Sequence, residues 1–117
     1  MREISFRGKD FKGQWIKFNL FSLNMMRVGR MELGTIGQYT GLKDKNGVEI
    51  YEGDIVASCG RRDLPCVVEY NQDRCEFIMR YGGDGILHLV KNFKYSYEVI
   101  GNIYDNPELL EVEEWTK

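Results

Sequence analysis

The sequence has one histidine, His88, and only 2 prolines among 117 residues. A metal site would want Cys-x-x-Cys or histidines close by, and a single histidine offers little of that. A single histidine also leaves a cysteine nucleophile only one possible imidazole base. His88 lies in the apolar run Ile86-Leu87-His88-Leu89, where a packed or surface-facing histidine on a strand is the expected reading. Three cysteines, Cys59, Cys66 and Cys75, leave one over in any disulfide scheme, and their spacings are wider than Cys-x-x-Cys. Three free, reduced thiols are expected, with no metal and no cofactor. No apolar run approaches the roughly 20 residues that cross a bilayer, so no membrane partner is expected. No apolar stretch of a signal peptide follows Met1-Arg2-Glu3-Ile4, and a cytoplasmic location is the expectation. Repeats, low-complexity tracts and linkers are absent, so one domain over residues 1–117 is expected.

Glycine is abundant, at 13 residues, and so many in so short a chain mean many turns and short strands rather than long helices. Aromatic residues make up 13%, and large flat side chains suit pleated surfaces. A hydrophobic share of 43% with 29% charged residues belongs to a globular chain. The net charge of −2 does not favour nucleic acid as the default partner. Residues 1–37 carry +4, residues 38–97 carry −1 and residues 98–117 carry −5. The basic first third and the acidic tail are expected to meet, within one molecule or between two copies in a homo-oligomer. A phosphate-binding surface on the basic third is the alternative.

The chain is organised around residues 38–56. Asn46-Gly47 is a strong hairpin signal, since both residues tolerate the positive φ that a type I′ turn needs twice. Leu42 before it, and Val48 and Ile50 after it, supply apolar positions at a two-residue period. Glu52-Gly53-Asp54 then breaks the run, and residues 54–58 form the next strand. Earlier, Ile4 and Phe6 alternate with polar residues, as do Ile16, Phe18 and Leu20, which predicts a first hairpin around residues 8–13. Trp15 falls on its opposite face. Residues 21–26 are apolar without clear period, and residues 27–37 read as a loop with a short strand at Thr35-Ile36. Strands over 66–70 and 75–81 flank the turn Asn71-Gln72-Asp73-Arg74, with another strand at 86–90 and a polar, unassigned stretch at 91–96. Residues 97–104 form the last strand, with Gly101 marking a bulge or a close backbone contact. Asn106-Pro107-Glu108 starts a helix of about two turns ending near Trp115, with Leu109 and Leu110 inward. The expected fold is all-β: a strongly bent antiparallel sheet closing into a pseudo-barrel, with a short C-terminal helix.

Residues 38–47 with Ile50-Tyr51-Glu52-Gly53-Asp54-Ile55-Val56 resemble the signature of the YopX family of phage and prophage proteins. The opening Arg2-Glu3-Ile4, Phe6-Arg7-Gly8-Lys9 and Trp15, and the close from Val99 to Leu110, are similar to the two ends of that family. Residues 59–94 match nothing in it. The resemblance implies an all-β pseudo-barrel and a bacterial or phage origin, and carries over no activity and no catalytic residues.

Three readings of function follow. The first is a non-enzymatic phage or prophage accessory protein that binds another macromolecule, most naturally a host or phage protein. Its binding candidates are Trp15, Tyr39, Asp44, Tyr51, Glu52, Asp54 and Tyr104. The second is a nucleic-acid-binding module using the basic first third, with tyrosines and phenylalanines as a stacking platform; against it, Tyr39, Tyr51 and Tyr104 have acids around them as often as bases, which favours packing roles. The third is a small metal-assisted hydrolase using Glu49, Glu52 and Asp54. The bland reading of those acids is turn chemistry, with Asp54 accepting backbone N–H bonds and both glutamates solvated. Gly82-Gly83-Asp84-Gly85 lacks the lysine and helix of a phosphate loop.

Overall fold

The structure, a computed structural model, describes residues 4–19, 29–58, 61–82, 85–89 and 97–111. Nine strands form two antiparallel sheets. The first holds β1 (Ser5–Lys9), β2 (Trp15–Asn19), β3 (Gly37–Lys43) and β4 (Glu49–Tyr51) in the order β2-β1-β3-β4. The second holds β5 (Asp54–Ser58), β6 (Cys66–Asn71), β7 (Glu76–Tyr81), β8 (Gly85–His88) and β9 (Tyr97–Asn102) in the order β8-β7-β6-β5-β9.

Alternation sets the two faces of the first sheet. Phe6 pairs with Phe18 and Gly8 with Ile16, and the two phenylalanine rings stack with centroids 5.6 Å apart. The other face takes Arg7, Lys9, Trp15 and Lys17, through the pairs Arg7–Lys17 and Lys9–Trp15. Asp10 closes the turn, its Oδ1 accepting from the Lys12 and Gln14 amides at 2.9 and 2.8 Å.

The β3–β4 hairpin forms at Asn46-Gly47, with a different turn from the one expected. Gly47 sits at φ 82, but Cys75 is the one non-glycine residue with positive φ among those described, so Asn46 is not left-handed. The Gly47 amide donates to the Asp44 carbonyl at 3.0 Å, and the Asp44 amide to the Val48 carbonyl at 2.8 Å. This is a three-residue loop with glycine in the left-handed position, which needs positive φ once rather than twice.

The link from β4 to β5 is the two residues Glu52-Gly53, and it carries the chain from one sheet to the other. Gly53 takes φ 89, and a Cβ there would lie 3.0 Å from the Tyr104 ring. Hydrogen bonds from both sheets fix the corner: the Glu52 amide donates to Gln38, the Gly53 amide to Val68, and the Ile103 amide to the Gly53 carbonyl.

The core is built on one face of the second sheet, from Val56, Cys66, Val68, Met79 and Tyr97, with Ile50 of β4 entering from the first and Leu42 packed beside it. Full burial of each such side chain contributes about 1.5–3 kcal/mol.

The structure departs from expectation elsewhere too. The strands form two sheets rather than one, and no closed barrel is formed among the described residues. The tip of the β3–β4 hairpin does meet the edge strand β9, through the Lys45 amide on the Tyr97 carbonyl at 3.0 Å and the Val99 amide on Asp44 Oδ2 at 2.9 Å. The expected C-terminal helix is, among the described residues, a single 3-10 turn at Pro107–Leu110. The Asn106 side chain does not cap it; its Oδ1 accepts from the Asn102 amide at 3.2 Å. Thr35 belongs to a 3-10 turn, Leu33–Thr35, not a strand. Gly101 marks the bulge, and the group that approaches it closely is a side chain rather than backbone. The β5–β9 register shifts beside it, and a Cβ there would lie 2.7 Å from Asn106 Oδ1. The expectations for residues 21–26, 91–96 and 113–115 lie outside the described residues.

Candidate functional site at the corner between the sheets

The polar face of the β1–β2 hairpin meets the corner and the chain after β9. The Arg7 guanidinium carbon lies 4.6 Å from the Trp15 ring centre and 4.7 Å from that of Tyr51. Tyr39 flanks Tyr51 at 5.4 Å and Tyr104 flanks Trp15 at 6.0 Å. The result is one stack, Tyr39–Tyr51–Arg7–Trp15–Tyr104, with the cation at its centre. Lys17 approaches the Tyr51 ring and Lys9 the Trp15 ring, each at 5.7 Å. A desolvated cation over an aromatic face is worth up to about 2 kcal/mol.

Two carboxylates bind the middle of this stack, Asp54 at Arg7 and Asp105 at Trp15. Arg7 Nη2 donates to Asp54 Oδ1, and the other Asp54 oxygen accepts from the Tyr51 amide at 2.8 Å. Asp54 is 1% exposed, and burial pushes its pKa up against the opposing pull of Arg7 and the Tyr51 amide. Asp105 accepts from Lys9 Nζ and, at 2.7 Å, from the Trp15 indole, and these two bonds hold its carboxyl down at about 2. Burial, helped by the charge of Glu49 and a 3.2 Å bond to it, pushes the Tyr51 phenol up to about 12. Burial and the charge of Glu52 raise Tyr104 as well. At neutral pH both phenols stay protonated, and neither can act as a base. Arg7 Nε is buried without a hydrogen-bond partner, in a guanidinium flanked by two rings.

Five of the seven binding candidates thus come together: Trp15, Tyr39, Tyr51, Asp54 and Tyr104. Tyr39 and Tyr51 are 5% and 2% exposed, so they pack and present no open ring face. Glu52 lies at the edge of the group, its Oε1 accepting from the Gln38 amide at 2.8 Å. Asp44 stands apart in the hairpin turn, where its Oδ1 accepts from the Asn46 and Val48 amides. The three acids of the hydrolase reading have separate partners: Glu49 takes Lys17 at 3.0 Å, Glu52 a backbone amide and Asp54 Arg7. Among the described residues no three acids, histidines or cysteines converge as a metal site. Arg7, Lys9 and Asp105 escaped notice in the sequence. The signal for the two cations was present, because strand parity puts Arg7 and Lys9 on the face of Trp15.

Fold and site together define a small two-sheet β protein whose inter-sheet corner is a packed aromatic and ionic cluster. The chain belongs to the YopX family: the sequence model described as YopX protein matches residues 3–111, nearly its whole length. No curated protein matches the chain. Among the described residues no helix is long and apolar enough to cross a membrane.

Proposed function

We propose that this chain is a non-enzymatic accessory protein of a phage or prophage that acts in the host cytoplasm by binding another protein. The observation that carries this reading is the commitment of the corner: Arg7 Nη2 and the Tyr51 amide are bonded to Asp54, Lys9 and the Trp15 indole to Asp105, and the Gln38 amide to Glu52. What remains for a partner lies at the periphery. Phe11 and Leu33 are 68% and 69% exposed beside β1, and Tyr70, Ile86 and Leu87 stand out around β6 and β8. Exposed large apolar side chains with polar neighbours suit protein contacts.

The test is a pull-down from prophage-induced host cells, with nucleic acid digested in a parallel sample. The expected result is a protein captured equally in both samples by the wild type and lost with Phe11→Asp or Leu87→Asp. Capture abolished by digestion would favour the nucleic-acid reading. One observation supports that second reading: Lys12 and Arg30 are exposed next to Phe11, whose amide donates to the Arg30 carbonyl at 3.1 Å. Binding to DNA or RNA that falls steeply with salt would establish it.

A further inference from the structure

We propose that Asn46 is a latent deamidation site, kept intact in the folded protein because Asp44 ties up the amide that would attack it. The reaction is intramolecular. The Gly47 nitrogen adds to Asn46 Cγ, the Cγ–Nδ2 bond breaks, and ammonia leaves with the proton of the Gly47 amide. Water then opens the cyclic imide to aspartate or isoaspartate.

The electrophile is available. Asn46 is exposed, and its carboxamide makes no hydrogen bond among the described residues. The following residue presents no obstacle either, since the space where a Gly47 Cβ would stand is empty to 4 Å.

The nucleophile is not available. The Gly47 N–H is spent on the Asp44 carbonyl at 3.0 Å. The same residue holds the turn around it: Asp44 Oδ1 accepts from the Asn46 and Val48 amides at 2.8 and 2.9 Å, and Oδ2 accepts from the Val99 amide at 2.9 Å. Asp44 is 7% exposed, so water competes poorly for these bonds. Attack requires the turn to open, and a segment held by several backbone bonds opens rarely.

The two products differ in consequence. Aspartate at position 46 keeps the backbone and is tolerated. Isoaspartate inserts an extra backbone bond inside the turn, which displaces the Gly47 amide from Asp44. It also strains the adjacent Lys45–Tyr97 bond that joins the hairpin to β9.

The experiment incubates native protein at mildly alkaline pH beside a synthetic peptide of residues 43–49, and follows Asn, Asp and isoAsp forms by peptide mapping. Native protein is expected to deamidate at least about ten-fold more slowly than the peptide. Equal rates would overturn the proposal. Asp44→Ala keeps the carbonyl that accepts from Gly47 but removes the side-chain bonds that hold the turn closed. Shown folded by circular dichroism, it is expected to deamidate faster than wild type, and a folded variant as slow as wild type would overturn the role given to Asp44. Hydrogen exchange of the wild-type Gly47 amide decides the cause without any variant. Slowed exchange is expected, and free exchange beside slow deamidation would show that the bond to Asp44 is not what protects.

Discussion

Gly47 takes φ 82 at the end of the central turn. A β-branched side chain there strains the backbone, so Gly47→Val is expected to cost on the order of 1–2 kcal/mol, with Asn46→Asp close to neutral. Thermal melts compare the two, and equal melting temperatures would mean the turn carries no such strain. Cys75 is the opposite case, a non-glycine residue at φ 53 just before β7. Cys75→Gly is expected to stabilise the protein by roughly 0.5–1 kcal/mol, the released strain being partly offset by the entropy of glycine in the unfolded chain. The thiols also differ in reactivity. Burial pushes Cys66 up to about 11, while Cys75 is exposed. Alkylation of native protein should label Cys75 first and reach Cys66 only on unfolding, as mass spectrometry would show. The residue scale also shows what sequence can and cannot say. Asn46-Gly47 marked the hairpin because of its backbone freedom. The turn type was settled by Asp44, whose two oxygens bind amides on both sides of the loop and on a strand 55 residues away.

The hairpins were legible because each is closed by neighbouring residues. Alternation around Phe6 and Phe18, and the turn residues Asn71 to Arg74 between two apolar runs, placed β1–β2 and β6–β7 within a residue or three of where they lie. The pairing of β5 with β9 joins residues 39 to 48 positions apart and leaves no local trace. The helix start failed because Asn106 spends its oxygen on Asn102, so the turn that follows lacks a side-chain cap. The corner was half legible: Asp54 does accept a backbone amide, as its place after Gly53 implies, but its second partner, Arg7, lies 47 positions upstream. That ion pair carries the prediction for this scale. Arg7→Met leaves a carboxylate that is 1% exposed without its counter-charge, which is expected to cost about 3–5 kcal/mol. Asp54→Asn strands the guanidinium in the same way. The double variant should lose less than the sum of the two, because neither charge is then left alone. Urea unfolding of all four proteins measures the coupling, and additive losses would mean that the two side chains do not stabilise each other.

Across the whole molecule, the acid response and the charge poles belong together. Asp105 titrates at about 2 in the folded state, below the ordinary value of 3.8. A depressed carboxylate stabilises the fold above its unfolded pKa, and that contribution disappears as pH falls from about 4 towards 2. Asp54 runs the other way: its pKa is raised, so any stability it gains by protonation is present at low pH and lost as pH rises through its folded value. Asp105→Asn should therefore flatten part of the acid limb of stability against pH. The effect is small, below about 1 kcal/mol, because the Asp105 side chain is 34% exposed and solvent screens it. The same contact bears on self-association. The basic first third and the acidic tail meet here within one chain, through Lys9 and Trp15 on Asp105. A dimer held by those poles would need Trp15 for its apolar centre, yet its indole nitrogen is bonded to Asp105 and its ring lies between Arg7 and Tyr104. Lys17 and Arg62 are likewise paired in the chain, with Glu49 and Glu98. The residues that would centre such a dimer, Trp15 and Lys9, are thus spent within the chain, while Lys12, Arg30, Glu108 and Glu111 stay exposed along with the apolar Phe11, Leu33, Ile86 and Leu87. Light scattering at micromolar concentration is expected to give the same mass in low and high salt. A species that dissociates only in high salt would show that ionic contacts hold two chains together after all, and that the pairing seen within one chain does not exhaust the two poles.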